Sequence, residues 1–246
     1  MNRIAQSVVV PEKEDLPRRD FLLHLLATGV LAGGGGWSGH ARAQVAGRVP
    51  GPMKEGRSFY DVSGVVKVNG APANLSTRVG GKDVVETGKG ARAIFIVGGD
   101  AYLLRENSRI ELSGASVLAD SLRLMTGALL SVFGKGKKTA YLPTSTIGIR
   151  GTGLYLEVEP DRAYVCTCYG DTEIAVSDDP KISERIVSTH HDAPRYILAK
   201  PDKGRRIIPA GFKNHTDLEL MLIESLVGRT PPFSLFDESY SSPRRY

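Results

Sequence analysis

The chain lacks most of what small catalytic or disulfide-built proteins rely on. Its 246 residues include two cysteines, one tryptophan and five histidines. Two cysteines cannot staple a chain of this length, so a disulfide framework is excluded. After the N-terminal segment, no apolar run approaches the ~20 residues that a spanning helix needs. No nucleophile elbow, phosphate-binding loop or His-Glu-x-x-His motif occurs, and no recognisable motif places a pair of acids. Charge of one sign is scarce as well. The net charge of +5 is spread thinly, and the densest basic runs, Lys135–Lys138 and Lys203–Arg206, have no interleaved aromatics. A nucleic-acid groove would carry them, so nucleic acid is not an expected partner.

Glycine is plentiful, at 28 residues, and it punctuates short runs rich in Val, Ile and Leu. That texture predicts an all-β fold. A Val-rich run ends at the turn dipeptide Asn69-Gly70. Three strands are expected within Lys82–Leu112, broken at Thr87–Gly90 and at Gly98–Asp100, and two more within Ser121–Thr146, separated by Gly127. A hairpin follows, turning at Glu159–Arg162, in which Leu154, Leu156 and Val158 alternate with Tyr155, Glu157 and Glu159. Asp171–Ser177 reads as the next strand. Past Ser177 come two short strand-like pieces, around Ile186 and around Tyr196–Leu198.

A helix is then expected over Asp217–Val227, capped by Thr216 with Glu219 completing a capping box. Leu218, Met221, Leu222 and Leu226 form its apolar stripe, and Gly228 ends it. Strands in this succession imply a barrel, a sandwich or a short solenoid rather than βαβ units. The helix would cover an open edge or face.

The N-terminus reads as an address. Arg18-Arg19-Asp20-Phe21-Leu22-Leu23 resembles the twin-arginine export motif, although Pro17 and Leu23 depart from it. The apolar stretch Phe21–Leu31 follows, and Ala41-Arg42-Ala43 supplies a small-x-small cleavage site before Gln44. The expected organisation is an export signal over 1–43, a linker over 44–58, a β domain over 59–178 and a C-terminal extension over 179–246. With the signal removed no membrane span remains, and the expected location is the periplasm, where disulfides are chemically permitted.

Several pieces then carry a family resemblance. "GVVKVNG" at 64–70, "VVETGKGARAIFIVGGDAYLLRENSRIEL" at 84–112, "LRLMTGALLSVFG" at 122–134 and above all "TSTIGIRGTGLYLEVE" at 144–159 resemble a FecR-type domain. The likeness covers roughly Phe59–Val176, and Ile149-Arg150-Gly151-Thr152 is its most specific part. It implies an exported, glycine-rich, all-β domain. The best-known members are membrane-anchored regulators that relay an iron-uptake signal from an outer-membrane receptor to a cytoplasmic sigma factor. Here a cleavable signal is expected where those regulators carry an anti-sigma segment and a spanning helix. The implied role is a non-catalytic binding, interaction or sensing module whose partner is an envelope protein or another cell-envelope component. Read from the residues alone, Arg150-Gly151-Thr152-Gly153 is a sharp corner between strands, with Arg150 reaching a carboxylate or carbonyls across it.

The remaining chemistry is concentrated in one stretch. Cys166, Cys168, His190, His191 and His215 all lie between residues 166 and 215, and no cysteine or histidine lies between Gln44 and Val165. On a strand, Cys166 and Cys168 face the same side with Cα atoms ~6.6 Å apart, near the upper limit for a disulfide. Three readings stay open: a strained disulfide, two buried thiols of structural use, or half of a ligand set. In the last, one or two imidazoles would complete a Cys₂His or Cys₂His₂ site for one transition-metal ion, zinc, copper or iron. Asp192 and Asp217 are candidate acceptors for histidine N–H groups, or ligands themselves. Adjacent histidines point to opposite faces of an extended strand, so one of His190 and His191 is expected to join the cysteines. The competing class is a small redox or metalloenzyme that uses the same cluster.

Overall fold

The computed structural model describes residues 50–115 and 118–233. The expected export signal, the start of the expected linker and the tail beyond Phe233 lie outside the described residues. The strands are β1 (Phe59–Ser63), β2 (Val66–Val68), β3 (Ala71–Pro72), β4 (Val84–Thr87), β5 (Arg92–Val97), β6 (Asp100–Leu104) and β7 (Arg109–Ala115). They continue with β8 (Leu118–Val132), β9 (Lys137–Tyr141), β10 (Ser145–Val158), β11 (Arg162–Val176), β12 (Ser183–Ser188), β13 (Arg195–Asp202) and β14 (Arg205–Pro209). One helix, α1 (Asp217–Leu226), ends the series, and none among the described residues is long and apolar enough to cross a membrane.

All strands join one sheet that does not close. It folds into two layers because three long strands change partners along their length. β8 pairs with β7 and β9 as far as Thr126, then with β10 and β6 from Gly127 onward. β10 leaves β9 at Arg150 and joins β8 at Gly153. β11 lies beside β13 over Arg162–Val165 and beside β12 over Gly170–Ala175. Strands that bend from one layer into the other at such irregularities are how a sandwich turns its corners. Phe59, Phe95, Tyr102, Leu104, Leu154 and Leu156 from one layer meet Ile110, Leu124, Ile147, Ile149 and Ile174 from the other in one buried cluster.

The glycine signals are thus bends as often as breaks. Gly127 was expected to separate two strands, yet β8 runs through it at a φ of +77°, with Ser108 so close that a Cβ would fall 2.0 Å from its hydroxyl. Likewise β11 continues from Arg162 to Val176 instead of stopping at Gly170. Lys82–Leu112 holds parts of four strands rather than three, since β6 and β7 are separate. The basic run at Lys203 forms the turn of an additional hairpin, β13 to β14. Arg150 is exposed and, among the described residues, its side chain makes no hydrogen bond or close ion pair, although its charge is felt by Asp171, opposite it on β11. Part of the expected linker is built into the fold. The Met53 N–H donates to the Leu226 carbonyl at 2.9 Å, and Ser58 is buried against Val79.

On the far side of the β6–β8–β10–β11 layer the alternate residues are also buried: Leu103, Leu130, Tyr155, Tyr164, Cys166 and Cys168. The C-terminal segment covers this face, with α1 packed on β6 and β8. The capping box at Thr216 and Glu219 forms as expected. The other end is a Schellman turn in which Gly228 N–H donates to Ser225 and Arg229 N–H to Glu224. The buried face, however, is rotated from the expected stripe. Leu218 is 46% exposed, and Glu219, Leu220, Leu222, Ile223, Glu224 and Leu226 point inward. Two acids hide this face from a hydrophobicity pattern. Glu219 is paired with Arg105 at 3.0 Å, and Glu224 with Arg229 at 2.7 Å and with the Tyr169 hydroxyl.

Candidate metal centre

Where β11 changes neighbours, Cys166–Tyr169 has no strand on its outer side. The β12–β13 connection fills that gap. The His191 N–H donates to the Cys168 carbonyl at 2.8 Å, in place of a ladder bond. Asp192 shapes this turn by accepting from the Thr189 N–H (2.7 Å), the Thr189 hydroxyl (2.9 Å) and the His190 N–H (3.2 Å). His191 itself sits in the left-handed region at φ 54°, a conformation a histidine adopts rarely and at some cost. Asn214, just before His215, does the same at φ 61°. Its carbonyl accepts from Arg105 at 2.7 Å, and its amide donates to Glu157 at 3.0 Å. Two loops with constrained backbones therefore deliver one imidazole each over the Cys-x-Cys strand.

The four side chains converge. Cys166 Sγ lies 3.4 Å from His191 Nδ1, Cys168 Sγ lies 3.4 Å from His215 Nε2, and the two nitrogens are 3.1 Å apart. All four donor atoms lie within 4.8 Å of one another, and all four residues are buried. The nitrogens that face away from the cluster are held as well. His215 Nδ1 donates to the Lys213 carbonyl at 2.7 Å, and His191 Nε2 to Asp217 Oδ1 at 3.0 Å. Each of these bonds leaves the opposite nitrogen facing the sulfurs. Tyr155 stacks on the His215 ring at 4.5 Å, and Phe212 flanks both imidazoles at 4.5–4.6 Å.

Three of the six donor separations can be compared with a tetrahedral ion. Bonds of ~2.05 Å to nitrogen and ~2.3 Å to sulfur at tetrahedral angles place nitrogens ~3.3 Å apart and nitrogen–sulfur pairs ~3.6 Å apart. The observed separations of 3.1 and 3.4 Å are within the ~0.2 Å tolerance such a comparison allows. The cysteines are free thiols, so the disulfide is not formed.

Electrostatics sets the two thiols apart. Burial opposes a charge on Cys166, but hydrogen bonds from Cys168, His191 and His215 outweigh it and hold this thiol well below its usual range. Burial and the neighbouring Cys166 charge push Cys168 the other way. Burial also opposes a charge on His191. Its bonds to Asp217 and Cys166 prevail and lift it to about 9.

Of the five sequence candidates, Cys166, Cys168, His191 and His215 are brought together. His190 stands outside that set: its Nε2 lies 3.0 Å from the same Asp217 oxygen, and it groups with His191 and Asp217 instead. Asp217 thus accepts from both neighbouring imidazoles, whereas Asp192 serves the turn. The Lys213 carbonyl and the Tyr155 and Phe212 rings carried no sequence signal. Backbone acceptors and packing partners leave none.

Neither a protein-family model nor a curated protein matches the chain. Among solved structures, two crystal structures of a candidate anti-sigma factor from Parabacteroides distasonis, at 1.65 and 2.50 Å resolution, overlap it in part. Identity is 10% and the TM-score 0.41, over 52% of this chain and 58% of that one. The chain thus spans less than two thirds of that protein's length, and an overlap this distant bears on neither the site nor its use.

Proposed function

We propose that this chain is an exported, FecR-like envelope protein that acts as a non-catalytic binding or sensing module and holds one transition-metal ion. Cys166, Cys168, His191 and His215 would be the ligands. The carrying observation is their convergence, with each imidazole's outer nitrogen already bonded. Four protein donors complete a tetrahedron, whereas catalytic metal sites keep one position open. A redox enzyme on the same cluster would need a reachable thiolate, and both cysteines are fully buried.

The sequence-level export signal agrees with such a centre. A twin-arginine signal implies folding in the reducing cytoplasm, where thiols stay available. An ion taken up there would keep Cys166 and Cys168 from oxidising after export. The partner expected from the FecR resemblance is an envelope protein or another envelope component.

Elemental analysis of anaerobically purified protein tests the metal, with one ion per chain expected and none in Cys166→Ser or Cys168→Ser. Protein free of metal with two titratable thiols would overturn the reading. Lysine at both Arg18 and Arg19 should hold the full chain in the cytoplasm, and unchanged export would remove the twin-arginine route.

A further inference from the structure

The ligands come from three segments that belong to different layers. Cys166 and Cys168 are on the outward face of β11, a strand of the sandwich, while His191 is on the β12–β13 turn and His215 on the approach to α1. The C-terminal segment that carries His215 covers a sheet face whose side chains stand apart from the inter-layer core. Its other anchors include the Arg105–Glu219 pair, Asn214 between Arg105 and Glu157, Lys213 on Glu159, Tyr164 on the Gly211 carbonyl, Tyr169 on Glu224, Met53 on the Leu226 carbonyl and the inward face of α1.

We propose that the centre is a zinc(II) clasp. Occupancy would lock the C-terminal segment, from Phe212 through α1, onto the outer face of the sheet, and loss of the ion would release it while the sandwich stays folded. This rests on the metal reading given above.

Zinc follows from charge and geometry. Two thiolates and two neutral imidazoles around a divalent ion make a neutral buried cluster. A monovalent copper ion would leave a negative one beside the Asp217 carboxylate. A tetrahedral S₂N₂ set does not suit the tetragonal preference of copper(II), and iron(II) binds such donors more weakly than zinc. The clasp follows from topology. Removing the ion leaves four titratable side chains crowded in a buried site, and the only ones free to move apart are the two on loops. His191 occupies a left-handed backbone conformation that relaxes when its loop lets go, whereas Asn214 holds the same conformation at little cost. The sandwich core shares no side chain with the cluster, so it has no reason to open with them.

Hydrogen exchange of the full chain, kept reduced, tests this with zinc bound, after chelation, and after zinc is returned. The expected result is one zinc per chain, with amides of 212–227 exchanging at least ~10-fold faster once zinc is removed. Protection should return on reloading, with β5, β6 and β10 unchanged throughout. His215→Ala should exchange fast in this segment whether or not zinc is added. Arg105→Ala should loosen the segment yet keep its zinc.

If zinc binds at one per chain but exchange in 212–227 does not depend on it, the clasp is overturned and the metal centre stands. If exchange rises equally in the core strands, the centre is a global stabiliser and the clasp fails. If neither zinc, copper nor iron binds, the metal reading fails together with the clasp. Preferential retention of copper or iron over zinc in competition would overturn the assignment of the ion alone.

Discussion

Asp217 begins helix α1 and also holds two imidazoles through one carboxylate oxygen, His190 and His191 both at 3.0 Å. Only His191 presents its other nitrogen to the sulfurs, so the residues around this carboxylate should separate by experiment. Removing a ligand, as in Cys166→Ser or His191→Ala, should abolish stoichiometric zinc binding. Asp217→Asn keeps a weaker acceptor, and the affinity should fall about 10–100-fold with one ion still bound, as is usual when a histidine's outer partner is changed. His190→Ala should leave the affinity within a few-fold of the parent. Competition titration against a chromophoric chelator measures all of these. A large loss in His190→Ala would move that residue into the ligand set.

At the scale of the elements, α1 is held by more than its apolar face. Arg105 and Glu219 form a largely buried pair, with side-chain exposures of 17% and 6%. Removing one partner from such a pair leaves an uncompensated charge, so Arg105→Ala should cost about 3–5 kcal/mol. Thr216→Ala removes only the cap and should cost about 1 kcal/mol. Urea denaturation gives both values. The β10 corner makes a second comparison. A Cβ on Gly153 would fall 2.4 Å from the Tyr169 ring, whereas one on Gly151 would meet nothing within 4 Å, although φ there is +59°. Gly153→Ala should therefore cost about 1–3 kcal/mol or more by overpacking. Gly151→Asn should cost less, because asparagine tolerates the left-handed region. Equal losses would mean that strain, and not the close approach of Tyr169, sets the requirement at this corner.

For the whole molecule, the β10–β11 turn is tied to the C-terminal segment by Glu159, which accepts from Lys213 and Arg162 at 2.5 Å each. Burial opposes the charge on Glu159, but its hydrogen bonds to Lys213 and Arg162 prevail and hold the carboxyl below its ordinary value of 4.5. A carboxyl lowered in the folded state contributes stability above its unfolded value, and that stability is lost as pH falls through the folded one. Urea midpoints should accordingly drop as pH is lowered from ~5 to ~3. Glu159→Gln should have a shallower fall over the same range, and an identical slope would show that this contact does not couple the two parts.

Much of this was legible residue by residue. Alternation along Leu154–Val158 marks β10, the turn at Glu159–Arg162 closes the hairpin, and Thr216 with Glu219 marks the start of α1, because each signal is local. Glycine was ambiguous. The same residue type ends one strand and bends another, and which it does depends on what packs beside it, as Ser108 does at Gly127. The inward face of α1 was misread for a related reason, since Glu219 and Glu224 are buried only because Arg105 and Arg229 come to meet them.

The local pattern was enough to establish an all-β chain with one capped helix, and to confine the candidate metal ligands to Cys166–His215. Which of those side chains meet depends on contacts between residues far apart in the chain. The change of partners along β11 opens the gap, and the turn bearing His191 fills it. His215 then arrives from the segment that covers the sheet's outer face. Strand propensity and spacing act over a few residues, whereas a tetrahedral set of donors is assembled by packing.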